Sequence, residues 1–352
     1  MSAPTRIVRP DIQRLSPYVP GEQPRGQRVV KLNTNENPYP PSPRVLEAIH
    51  AAISGDLRLY PDPVATELRQ KAGQVYGFSP ESVLVGNGSD ELLTMILRAT
   101  VDPGQSVVFP KPTYSLYETL VAIQGGVCVC PPFPADYRLP LETLGEQGQR
   151  VTFICNPNAP SGTLASLDEL DSLAKQLRGL LVIDEAYVDF ASESALSLVH
   201  RHDNVLVLRT FSKSFSLCAM RVGLAFANPE LLLQIAKVKD SYNMNRLSQV
   251  AAIAALDDYA WMEANAARVR ETRTELGAEL TRRGFIVLPS HTNFLLARRP
   301  GSDLGPLQKR LKEEGVLVRH FATPELSDAL RITIGTRDEV AELLAALDRI
   351  EA

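Results

Sequence analysis

An α/β fold, a three-layer sandwich with a mostly parallel sheet between helices, followed by a smaller α/β C-terminal domain, is predicted by three observations. Short apolar runs rich in β-branched residues recur at Val83 to Val85, Val107 to Phe109, Val127 to Val129, Val151 to Cys155, Leu180 to Ile183, Val205 to Leu208 and Val222 to Ala225. Their apolar residues do not alternate with polar ones, which is the pattern of strands covered on both faces. Helical segments separate the runs, as parallel neighbours require.

In chain order, residues 1–30 are rich in Pro, Gly and Gln and read as an arm lying on the rest of the molecule. The short run Val29 to Leu32 meets Asn33 to Pro41, a polar loop whose prolines exclude a helix. Ser42-Pro43 supplies an N-cap and a first-turn proline, after which Val45, Leu46, Ile49 and Ile53 fall at helical spacing. Tyr60-Pro61-Asp62-Pro63 interrupts the chain before a helix from Val64 to Tyr76. Val83 to Val85 runs into Gly86-Asn87-Gly88-Ser89-Asp90, a strand, a glycine turn and a helix start, which can present backbone N–H groups to an anion. Ser166-Leu167-Asp168-Glu169 is a capping box. Beyond a polar break at Ser241 to Asn245 come a helical segment, Leu247 to Ala255, and a long charged helix from Tyr259 to Arg283 that Gly284 stops. Strand-like Phe285 to Leu288, Asn293 to Ala297, Val316 to Arg319 and Leu330 to Ile334 follow, with helices through Leu307 to Glu314 and after Thr336. The expected division is an arm over 1–30, a large domain over 31–245 and a small domain over 246–352.

The 352 residues are 44% hydrophobic and 22% charged, the balance of a globular enzyme with a large core. A net charge of -4 without basic clusters argues against a nucleic-acid partner. Met1 to Pro20 carries several arginines and no apolar core segment, so neither a signal peptide nor a membrane anchor is expected, and the cytoplasm is the expected compartment. Four cysteines, Cys128, Cys130, Cys155 and Cys218, do not make a disulfide framework. The histidines show no metal-ligand spacing, and His200-Arg201-His202 reads as a surface turn.

Thr210-Phe211-Ser212-Lys213-Ser214 sets one lysine between hydroxyl residues at the end of an apolar run. Asn156-Pro157-Asn158, Asp184-Glu185-Ala186-Tyr187 and Arg221-Val222-Gly223 add an amide, a carboxylate, a phenol and a guanidinium, each beside a strand. In parallel sheets ligands bind at the carboxyl ends of strands, where Asn156, Asp184 and Lys213 all fall.

These motifs, in this order from Tyr18 to Arg331, resemble those of the fold-type I pyridoxal-phosphate aminotransferases, most closely the histidinol-phosphate aminotransferases. Two departures stand out: Ala159-Pro160-Ser161-Gly162 replaces the usual Asn-Pro-Thr-Gly, and Cys218-Ala219-Met220 precedes Arg221 where Ala-Gly-Leu is common. The resemblance implies that Lys213 carries pyridoxal 5'-phosphate as an imine and, once freed, moves the substrate proton. It pairs Asp184 with the pyridinium nitrogen, sets Asn156 and Tyr187 at the ring oxygen and Tyr114 on the ring face. Arg221, Ser212, Thr210 and the helix start at Ser89 and Asp90 are the implied phosphate ligands. Asp90 has the wrong charge for that and is expected to cap its helix. Arg331 is the implied substrate anion receptor, with Tyr18, Asn35, Tyr242, Asn243 and Arg319 around the same pocket. The active unit implied is a homodimer in which Tyr60 reaches the partner's cofactor phosphate. The expected reaction is amino exchange between L-histidinol phosphate and 2-oxoglutarate, both small molecules. An aromatic amino-acid transaminase and a threonine-phosphate decarboxylase are alternatives on the same scaffold. A cofactor-sensing regulator would need a basic DNA-binding domain, which the segment ahead of Val29 does not resemble.

Overall fold

The structure, a computed structural model, describes residues 7–15, 21–24, 29–145 and 149–351. Its strands are β1 (Val30–Leu32), β2 (Val83–Gly86), β3 (Ser106–Val108), β4 (Val127–Val129), β5 (Val151–Cys155), β6 (Leu180–Asp184), β7 (Val205–Thr210), β8 (Gly223–Phe226), β9 (Ile286–Val287), β10 (Phe294–Arg298), β11 (Val316–His320) and β12 (Ala329–Thr333). A seven-stranded sheet takes the order β2-β8-β7-β6-β5-β3-β4, and a five-stranded sheet the order β1-β11-β12-β10-β9.

The two faces of the large sheet are legible in alternate residues. Ile154, Leu181, Ile183, Val205 and Val207 pack with Leu170, Leu173 and Leu198 from helices on one side. Phe153, Val182, Leu206 and Leu208 join Leu92, Met95 and Ile96 on the other. Because both faces are covered, the central strands β5, β6 and β7 are buried throughout. Pairing is parallel from β4 across to β7, but β8 runs antiparallel to both β7 and β2. Two reversals restore the direction, so β2 ends at the same edge as β5, β6 and β7.

Local signals place the helices. Ser42 accepts a hydrogen bond from Arg44 N at the start of Pro43–Ala52, Ser166 and Glu169 form the expected box, and Gly284 ends the long helix with φ of 79°. Thr336 and Glu339 close a second reciprocal box before Arg337–Glu351. The helix expected from Val64 begins at Thr66, and the one after Gly88 begins at Ser89.

A strand crosses the expected boundary between arm and large domain. β1 spans it and pairs in parallel with β11, Val30 opposite Val316 and Leu32 opposite Val318. The chain therefore enters through the small sheet, and the loop after β1 lies between the two sheets.

Candidate active site

The edge where β2, β5, β6 and β7 end collects the predicted groups. Asn156 follows β5, Asp184 closes β6 with Cys155 as its β5 partner, and Thr210 closes β7. Thr210 is also the Cα partner of Gly223, whose other neighbour is Gly86. Gly223 has to be glycine, since a Cβ there would lie 2.5 Å from Gly88 C and from Ser89 N. This close approach brings Arg221, two residues earlier, over the glycine turn.

Arg221 adopts a left-handed φ of 52°. Its Nη1 donates to Ser212 Oγ at 3.2 Å, and Nη2 donates to Asp90 Oδ2 at 3.3 Å. Thr210 Oγ1 donates to Ser212 Oγ at 3.0 Å. At Gly88, φ of 81°, a Cβ would meet Arg221 Nη2 at 2.5 Å. A guanidinium, two hydroxyls and the start of the twelve-residue Ser89–Thr100 helix thus converge, a set of donors that could hold a phosphate. Asp90 does not cap that helix: Gly88 is the N-cap residue and makes no side-chain cap. Its carboxylate instead accepts from Arg221 and, at 3.2 Å, from the Tyr114 hydroxyl.

Asp184 is buried, and Tyr117 Oη donates to its Oδ2 at 2.7 Å while Ala186 N donates to Oδ1 at 3.2 Å. Burial raises its carboxyl to about 6, so the ionised form lacks a cation. A pyridinium nitrogen would be that cation. Tyr117 was not singled out in the sequence; it sits three residues after Tyr114, edge-on to it with ring centroids 5.5 Å apart.

The Lys213 side chain is half-buried, and its Nζ donates to Thr34 O at 3.3 Å. Burial, and after it the positive Arg331, lower the amine to about 8. Near neutral pH a fraction is therefore unprotonated and nucleophilic. Asn37 Nδ2 donates to the carbonyls of Lys213 and Ser214 at 3.1 and 3.0 Å. Tyr187 is buried, accepts from Asn35 Nδ2 at 3.0 Å, and is pushed by burial up to about 12. Asn156 exchanges two hydrogen bonds with the Ala165 backbone, Nδ2 to O at 3.2 Å and Oδ1 from N at 2.8 Å. That pins its amide and leaves one N–H for a ligand.

On the small sheet Arg331 and Arg319 are cross-strand partners, so both point to one face. Their guanidinium carbons each lie 5.6 Å from the Phe321 ring centroid. Arg331 Nη2 also donates to Asn33 O at 3.2 Å. The loop after β1 thus touches Arg331 through Asn33, Lys213 through Thr34, Tyr187 through Asn35 and the lysine turn through Asn37.

Three expected substrate residues fare differently. Asn243 is committed elsewhere: its Nδ2 donates to Glu91 Oε2 at 2.7 Å and to Val85 O at 3.3 Å, tying its loop to the Ser89–Thr100 helix. It is a structural lock, because those bonds use both amide hydrogens. Tyr242 lies 46% exposed and stacks on Tyr60, itself 80% exposed, with ring centroids 4.3 Å apart. Tyr18 is outside the described residues.

The fold and the site define a class. The family model for aminotransferase class I and II matches residues 27–347, and the chain belongs to that family. Among curated proteins it is 45% identical over 344 residues to histidinol-phosphate aminotransferase 1 of Trichormus variabilis, covering 97% of this chain and 98% of that one. It is likewise 45% identical over 350 residues to histidinol-phosphate aminotransferase 2 of Rhizobium meliloti, covering 98% and 99%. Among solved structures, histidinol-phosphate aminotransferase from Sinorhizobium meliloti in complex with pyridoxal-5'-phosphate superposes with a TM-score of 0.90 at 30% identity, covering 98% of this chain and 97% of that one.

Proposed function

We propose that this protein is a pyridoxal-phosphate-dependent histidinol-phosphate aminotransferase, exchanging the amino group between L-histidinol phosphate and 2-oxoglutarate in histidine biosynthesis. The observation that carries it is that Lys213, a half-buried amine lowered to about 8, follows β7 by three residues, while Asp184, a buried carboxyl raised to about 6, closes the neighbouring β6. The residues fit the cofactor. Asp184 would face the ring nitrogen, Asn156 and Tyr187 the ring oxygen, Tyr114 the ring face, and Arg221, Ser212, Thr210 and the Ser89–Asp90 helix start the phosphate. When bound, pyridoxal phosphate supplies an electron sink for the charge left at the substrate α-carbon.

The chain's own residues supply the rest. Lys213 takes the proton from the α-carbon, and the Asn37 amide holds the turn that carries it. Arg331 binds the anionic group of either substrate and so orients the Cα–H bond. Arg319 beside it puts a second guanidinium on the same face, which suits a dianion. That favours a phosphorylated donor over an aromatic amino acid.

The active unit is a homodimer in the cytoplasm. Leu46, Ile53, Leu57, Leu59, Tyr60 and Val64 are exposed along one stretch of chain, an apolar surface suited to a second copy. Among the described residues no helix is long and apolar enough to cross a membrane.

Two measurements test the reading. Borohydride treatment of the yellow holoenzyme should leave the cofactor on the peptide containing Lys213, and label on any other lysine sinks the assignment. Single-turnover spectra with histidinol phosphate, phenylalanine and phosphothreonine should change fastest with the first. Release of carbon dioxide from phosphothreonine would instead mark a decarboxylase.

A further inference from the structure

β-pairing fixes Asp184 against Leu208, but Lys213 lies five residues beyond that pair, outside any strand. The sheet alone therefore does not set the distance between the amine and the carboxylate. Attached to both through their chain neighbours is a cluster of charges that the chemistry above does not use. Arg209 Nε lies 2.9 Å from Glu185 Oε2, and Arg209 Nη1 lies 2.7 Å from Asp189 Oδ1, with side chains 8%, 0% and 12% exposed respectively. Arg209 Nη2 also donates to Ser194 Oγ at 3.0 Å, and Ser194 Oγ to Glu185 Oε2 at 2.8 Å. The other oxygen of Asp189 accepts from the Ser214 hydroxyl. Arg270 Nη1 donates to the Asp189 carbonyl at 3.1 Å, fixing the backbone there from the long helix.

The two ends of this chain of contacts are Glu185, bonded directly to Asp184, and Ser214, bonded directly to Lys213. We propose that Asp189 is a positioning residue, which through Ser214 on one side and the Arg209–Glu185 pair on the other sets the Lys213 amine at its working distance from the Asp184 carboxylate. The arrangement suits that task. A buried guanidinium shared by two carboxylates tolerates little displacement, since moving any member strands a charge out of water. The inference rests on the proposed function, because the distance matters only where one ring bridges the two groups.

The test separates ring binding from lysine placement. Pyridoxine 5'-phosphate lacks the aldehyde, so its affinity for the apoenzyme reports the ring and phosphate contacts alone. Pyridoxal phosphate condenses with the amine, losing water, and the rate at which its visible band appears reports where Lys213 sits. In Ser214→Ala and Asp189→Asn the pyridoxine phosphate Kd should stay within about twofold of wild type. Condensation and kcat should slow about tenfold or more with KM little changed, the scale expected when a reacting group is misplaced by a fraction of an ångström. The double variant should be no slower than the worse single one, since both cut the same link, and Ser214→Thr, which keeps the hydroxyl, should recover most of the rate. Condensation at the wild-type rate in either single variant overturns the proposal. So does a parallel loss of pyridoxine phosphate binding, which would mark a general structural role. If one variant fails to fold, the other decides by the same comparison. A wild-type apoenzyme that develops no visible band refutes the cofactor reading beneath the proposal and is distinguishable from both.

Discussion

Tyr117→Phe isolates one hydrogen bond and should move the pH at which the cofactor ring is held. Burial holds the Asp184 carboxyl up at about 6 against an ordinary 3.8, a difference of about 3 kcal/mol disfavouring the buried carboxylate. The sign follows from linkage: with its folded pKa raised, this carboxyl destabilises the empty protein above about pH 6, and the penalty fades as the pH falls toward 4. A cation against the carboxylate relieves the same penalty at neutral pH. Tyr117 already offsets part of it by donating at 2.7 Å. Removing a donor to a charged acceptor costs about 1.5–3 kcal/mol, equivalent to about one to two further pH units. The ring itself stays packed, since Tyr117 is fully buried and stacked on Phe153 with centroids 5.0 Å apart. The assay is calorimetric titration of apoenzyme with pyridoxine phosphate between pH 5.5 and 9, wild type against variant. The titration of the ligand's own groups cancels in the ratio. The Kd ratio should be about one at pH 9 and rise to about five- to fiftyfold near pH 6. A ratio that stays flat over the range would refute the argument, because it would mean that Asp184 ionisation does not govern ring binding.

Three further outcomes are expected. Arg319→Ala should slow the histidinol-phosphate half-reaction by about ten- to a hundredfold, the equivalent of one charge-assisted hydrogen bond, with a much smaller effect on glutamate; equal loss in both halves, read by single-turnover kinetics, refutes a phosphate-specific role. Gly223→Ala puts a methyl 2.5 Å from Gly88 C and Ser89 N, so it should destabilise by about 1–3 kcal/mol in urea unfolding and weaken phosphate binding, and a variant of wild-type stability and affinity would contradict the close approach. Mixed dimers of a Lys213→Ala chain and a Tyr60→Ala chain should regain one working site if Tyr60 acts on the partner's cofactor, whereas activity no higher than that of either parent homodimer would assign Tyr60 to its own chain.

Much of the large sheet is legible in the chain because its strands are buried on both faces, and continuous β-branched runs such as Val205 to Leu208 have few other uses. The strand ends are legible for the same reason: a run that stops at a polar residue marks the edge, and that is how Asn156, Asp184 and Lys213 are set at the carboxyl ends of their strands. Helix starts such as Ser166 to Glu169 are local bargains between a side chain and its own backbone, so sequence alone determines them. What only the tertiary structure decided is which distant groups meet. β8 carries the same apolar signature as its parallel neighbours yet runs the other way, since burial pattern is blind to strand direction. β1 leaves its sequence neighbours for β11, and Asn35 reaches Tyr187 across 152 residues. Tyr117, Asp189 and Arg209 carry no sequence signal, because a buried polar group declares its purpose only through its partner. Asn243, set in the substrate pocket by the resemblance, gives its amide hydrogens to Glu91 and Val85, partners brought to it only by packing. Periodicity records which face of an element is buried, whereas a hydrogen-bond partner is a property of the packed pair.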